Sequence, residues 1–140
     1  MTTAPYRPTI RTQADLPAMW RTLMTPLGFA RRRLYLTFVL GDGCAVPHLT
    51  ELDDLPEQPG DLAVDNLMAM CAALLENSLT EGSRPVLLLA RPGAARLTDS
   101  DRAWGTALLA AAEAHRVPLW PVHVAGDDDV VVLAPGDLAA

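Results

Sequence analysis

The sequence predicts an α/β domain of the α+β kind, with a single mixed β-sheet of about five strands flanked by three helices in the order α-β-β-α-β-α-β-β. Three observations predict it. Amphipathic stretches of helical period alternate with short apolar runs. One run, Pro85-Val86-Leu87-Leu88-Leu89-Ala90, is apolar without interruption, as a strand covered on both faces must be. The 140 residues, 50% of them hydrophobic, are enough for one core without a covalent staple.

The elements follow in order. Residues 1–11 hold Pro5 and Pro8 and no apolar period, which predicts a flexible arm ahead of a single domain over 12–140. Thr12-x-x-Asp15 has capping-box spacing, and Leu16, Met19, Trp20, Leu23, Met24 and Leu27 recur every three or four residues, so a helix runs to about Gly28. Leu34 to Leu40 is rich in strand formers, and Gly41-Asp42-Gly43 turns it into a second strand over Cys44 to Leu49. Four acids and two prolines between Glu51 and Gly60 mark an exposed loop. Asp61 opens a helix with Leu62, Leu67, Met70, Cys71, Leu74 and Leu75 on its buried side, closed by Gly82. The central strand over 85–90 ends at Arg91-Pro92-Gly93, a helix runs from about Asp99 to His115 with Trp104, Leu108, Leu109 and Ala112 inward, and strands over Leu119 to Val124 and Val130 to Leu133 flank the turn Asp127-Asp128-Asp129.

Charge excludes some partners. The net charge is −6, but six Arg face Asp15 alone up to Leu40, a net +5, whereas five Arg face sixteen acids after it, a net −11. An acidic body argues against nucleic acid. No apolar run reaches the roughly 20 residues of a membrane span, and the start has no export signal, so neither a membrane nor secretion is expected. Cys44 and Cys71 have no metal-binding or disulfide spacing, which points to reduced thiols in the cytoplasm.

Residues for chemistry are sparse. The loop after the central strand is where open α/β sheets place ligands. Arg91, Gly93, Arg96 and Thr98 are its candidates for holding an anion, through two guanidinium groups and the amides of a helix start. His48, His115 and His123 share no spacing, Asp127 to Asp129 lack the further ligands of a calcium loop, and no nucleophile has a base in sequence reach, so no catalytic residue, metal ligand or cofactor is predicted.

From Leu34 onward the layout resembles the RadC-like branch of the JAB (MPN) fold. The resemblance is carried by Pro92, Gly93, His123 and Gly126, set against an H-x-H-P-x-G element and a late strand with D-H-x-x-x-G, each glycine standing one position earlier than in the pattern. Catalytic members are zinc-dependent isopeptidases, but Leu89 and Arg91 stand where the two ligand histidines belong, Thr98-x-x-Asp101 matches Ser-x-x-Asp only with a loop one residue shorter, and LYLTFVL has no Glu for a general base. The resemblance therefore implies a fold and not an activity. The segments RPG, DRAW and WPVH also resemble small actinobacterial proteins of this length, a resemblance that brings no function with it. The expectation is a non-catalytic protein-interaction or regulatory module, with an anion-binding domain using the 91–98 loop, or an enzyme with an unrecognised site, as alternatives. The expected partner is a second copy, a homodimer through Met19, Trp20, Leu23, Met24 and Leu27 of the first helix, unless that helix caps its own sheet.

Overall fold

The computed structural model describes residues 8–46 and 49–133. His48, most of the predicted arm and the last seven residues fall outside it.

Five strands form one mixed sheet in the order β2-β1-β3-β4-β5: β1 (Arg33–Val39), β2 (Thr50–Leu52), β3 (Arg84–Ala90), β4 (His123–Ala125) and β5 (Val130–Val132). Only β3 and β4 run parallel, joined by a helix crossover; the other neighbours are antiparallel. The apolar run is central, as predicted, and its period of two divides it between two cores. Leu87 and Leu89 join Leu34, Leu36 and Phe38 of β1 beneath α2 (Asp61–Asn77) and α3 (Asp99–Ala114). Val86, Leu88 and Ala90 join Tyr35 and Val39 beneath α1 (Leu16–Met24). The predicted capping box at Thr12 and Asp15 opens a 3₁₀ turn, Gln13–Asp15, that leads directly into α1. Among the described residues no helix is long and apolar enough to cross a membrane.

Several boundaries differ from expectation. The Gly41–Gly43 turn forms, with Leu40 N–H bonded to Cys44 O and Val46 N–H to Phe38 O, but the strand that pairs with the start of β1 is Thr50–Leu52 rather than Cys44 to Leu49. The fourth strand begins at His123, because Pro118 and Pro121 lack ladder donors. The 117–120 stretch is instead held by Arg84, whose guanidinium donates to Pro118 O and Leu119 O and lies 4.0 Å over the Trp120 ring. Residues 8–10 do not belong to a free arm: Ile10 is buried, its N–H bonds to Gly43 O, and Pro8 O accepts from Ala45 N–H. On α2 the sheet takes Val64, Leu67, Met68 and Cys71, leaving Leu62 and Met70 exposed; Leu109 of α3 is exposed too. A helix this uniformly apolar offers more than one stripe, and the sheet takes only one.

The homodimer surface is the main correction. Met19, Trp20 and Met24 are buried within the chain's own second core, Trp20 completely, and Leu27 packs against the same cluster, leaving only Leu23 exposed. The sheet has two apolar faces, and α2 with α3 covers one; α1 is the element that covers the other.

Trp20→Ala should therefore cost about 3–5 kcal/mol in urea unfolding. Trp20→Glu should abolish near-UV circular dichroism, whereas an interface residue would have given a folded monomer.

Candidate functional site

Arg91 follows the last residue of the central strand, and its side chain turns inward. It is 4% exposed, and all five of its donors are bound. Nε and Nη2 reach the two oxygens of Asp101 at 2.8 and 2.6 Å, Nη1 donates to Pro92 O and Ala94 O, and the second Nη2 donor goes to Arg96 O. The fork thus pairs one carboxylate in two-point geometry and wraps the following loop around itself.

Asp101 is fully buried because it has a second role. It is the third residue of α3, where Thr98 Oγ1 accepts from Asp101 N–H and Asp101 Oδ2 accepts from Thr98 N–H at 2.9 Å, forming a capping box. Burial pushes its carboxyl up, but the Arg91 guanidinium and the Thr98 amide override that and hold it below the usual range. Asp101 in turn raises the pKa of Arg91.

The amides expected to bind an external anion already hold internal ones. Gly93 N–H donates to Asp127 at 2.9 Å and Ala95 N–H to Asp128 at 2.8 Å, while Gly93 O accepts from Asp127 N–H. Asp129 accepts from Arg21 Nε and Nη2 at 3.1 and 2.7 Å, which joins α1 to the β4–β5 turn and lowers the Asp129 pKa. The turn is thus a three-carboxylate clamp rather than a merely solvated hairpin. Its approach requires Gly126, since a Cβ there would lie 2.6 Å from both Ala95 N and Gly93 O.

A second loop closes over the start of α3. Leu55 N–H bonds to Arg32 O at 3.0 Å, Trp104 Nε1 donates to Pro56 O at 3.1 Å, and Ser100 Oγ donates to Glu57 O. Between this loop and the 91–98 loop lies an open cleft of about 690 Å³ lined by Arg32, Glu57, Gly93, Arg96, Thr98 and Ser100.

All four predicted anion-binding residues border the cleft, but Arg91, the Gly93 amide and the amide and hydroxyl of Thr98 are committed inside the chain, which leaves the side chain of Arg96. Arg32, Asp127 and Asp128 escaped the sequence reading. The run Arg31-Arg32-Arg33 precedes and opens β1, and its three side chains divide: Arg31 and Arg33 pair with Asp53, and Arg32 lines the cleft. The described histidines are dispersed. His115 Nε2 lies 2.7 Å from Asp65, and His123, buried beneath α1, bonds through Nδ1 to Pro121 O. Among the described residues no three His, Cys, Asp or Glu side chains gather as metal ligands would. The sequence matches no protein-family model and no curated protein.

Asp101→Asn leaves a buried guanidinium without its counter-charge, and should cost about 3–5 kcal/mol, or roughly 10–20 °C in Tm. A second prediction concerns pH. Burial lowers the His123 pKa from 6.5 to about 4. Between those values the unfolded chain takes up a proton on this ring and the folded chain does not, so stability falls as pH falls through that window. The loss should approach about 3 kcal/mol. His123→Gln should flatten stability between pH 6.5 and 5 in parallel urea titrations.

Proposed function

We propose that the chain is a non-catalytic module that acts by binding a protein. One observation carries this reading. The six buried polar side chains among the described residues are Thr37, Ser83, Arg91, Ser100, Asp101 and His123, and each is held by a hydrogen bond within the chain. General acid–base or nucleophilic catalysis needs a group held close to a base yet free to exchange its proton with substrate; these groups are fixed to carbonyls, to one another or, for Ser83, to the Thr80 hydroxyl. The RadC-like resemblance supports the same reading. Under it Arg91 occupies the place of a ligand histidine, and its guanidinium meets Asp101, the carboxylate that the resemblance would give to a metal. A cation belonging to the chain then replaces one from solution.

A second copy is the partner we propose, across the outer face of α2. Leu62 is 73% exposed there and Met70 41%, and Leu62 borders an open groove of about 560 Å³ with Ala107, Ala110 and Ala111 of α3. Large apolar side chains grouped on one helix face are the usual mark of association. The free thiols of Cys44 and Cys71, the latter pushed up to about 11 by burial, support a cytoplasmic setting.

Two measurements test this. The purified protein should carry no stoichiometric zinc and leave isopeptide bonds uncut, and one tightly held zinc per chain in elemental analysis would overturn the non-catalytic reading. Light scattering at about 100 μM should give twice the 15.0 kDa chain mass. Leu62→Glu should return it to the chain mass with its near-UV circular dichroism retained, and a wild-type monomer would rule out self-pairing.

A further inference from the structure

We propose that the cleft between the 53–60 and 91–98 loops binds a phosphate oxyanion, held between Arg32 and Arg96. This goes beyond the protein-binding reading and does not depend on it.

The two cations are distinguished by where they stand: among the described residues Arg11 and Arg116 also make no side-chain hydrogen bond or ion pair, but only Arg32 and Arg96 combine that with a place in the cleft. Arg21, Arg31, Arg33 and Arg102 all face carboxylates, Arg84 binds two carbonyls, and Arg91 is saturated. For Arg32 and Arg96 no acidic or hydrogen-bonding partner is found for the side chain among the described residues, yet both line the same cleft. Arg32 is only partly exposed, and its Nε is closed off from solvent without an acceptor. A shielded donor on a permanently charged group is a cost that proteins remove where they can. The fold sustains it here although Arg32 stands between two arginines that share Asp53.

The walls are fixed before any ligand arrives. Arg91 holds Arg96 O at 2.8 Å, which leaves the Arg96 side chain exposed at the cleft. Leu55 N–H holds Arg32 O, and Trp104 and Ser100 hold the opposite loop through Pro56 O and Glu57 O. The loop backbones are thus held, and the ordering left to binding is that of the two arginine side chains. The volume suits a phosphate carrying a further group, being within the range of small-molecule sites. Two planar guanidinium forks match the several oxygens of a phosphate better than the two of a carboxylate. Two carboxylates, Glu57 and Asp99, also line the cleft and oppose an anion; Asp99 faces Arg102 at 3.3 Å, which leaves Glu57 as the acid without a cation of its own.

The probe is inorganic phosphate, with pyrophosphate as the larger form and sodium chloride at equal ionic strength as control. Phosphate at about 10 mM should raise Tm where chloride does not. In calorimetric titration Arg32→Ala and Arg96→Ala should each weaken binding by about tenfold or more, Glu57→Gln should strengthen it, and Arg116→Ala, outside the cleft, should leave it unchanged. Arg96 is exposed, so Arg96→Ala carries the test even if Arg32→Ala unfolds. Tm and heat that show no response to phosphate or pyrophosphate up to about 50 mM, or a response that survives Arg96→Ala, would overturn the proposal.

Discussion

Where the central strand gives way to the following loop, two opposite charges lie side by side with almost no contact with water. Arg91 and Asp101 are 2.6 Å apart at their closest atoms, and each does a second job that depends on the first. Asp101 caps α3, so the pair fixes where the crossover helix begins relative to the strand. Arg91 collects the carbonyls of Pro92, Ala94 and Arg96, so the loop curls around a positive centre instead of leaving its acceptors to solvent. Buried ion pairs contribute little net stability once desolvation is counted, while a broken one is costly. The value of this pair is therefore geometric: it restricts the loop to conformations that deliver three carbonyls to one guanidinium.

The clamp from the β4–β5 turn extends that restriction across the sheet. Asp127 and Asp128 take the amides of Gly93 and Ala95 while Asp129 takes Arg21 of α1. One three-residue turn thus connects the loop that starts the α3 layer with the helix on the opposite face. These carboxylates are largely exposed, and each bond alone is weak in water. Their effect lies in holding segments that are far apart in sequence but adjacent across the parallel pair β3 and β4.

The layout was largely legible because it is written locally. The apolar run at 85–90, the Thr12-x-x-Asp15 box and the amphipathic period of α1 each lie within a window that a helix or strand reads directly. The site was much less so. Asp101 shows its capping role over three residues, yet nothing nearby indicates that Arg91, ten positions earlier, would be buried against it. Asp127, Asp128 and Asp129 look like solvated turn residues because their partners stand 34, 33 and 108 positions away. The apolar face of α1 is legible in its period, but its destination is the chain's own sheet. Periodicity states that Trp20 needs cover; it does not state whether the chain's own sheet or another chain supplies it.

The clamp and the ion pair also determine where charge remains available. A strand-to-helix loop with free amides attracts anions, and this chain meets that attraction with its own carboxylates. An incoming anion is therefore directed away from the Gly93 and Ala95 amides toward the side of the loop that faces Arg32. The same bonds that occupy Arg91 keep Arg96 at the cleft, since the guanidinium holds the Arg96 carbonyl inward and its side chain remains exposed. The residue that looked most suited to bind a ligand thus serves to position its neighbour, and the accessible positive charge passes to Arg32 and Arg96.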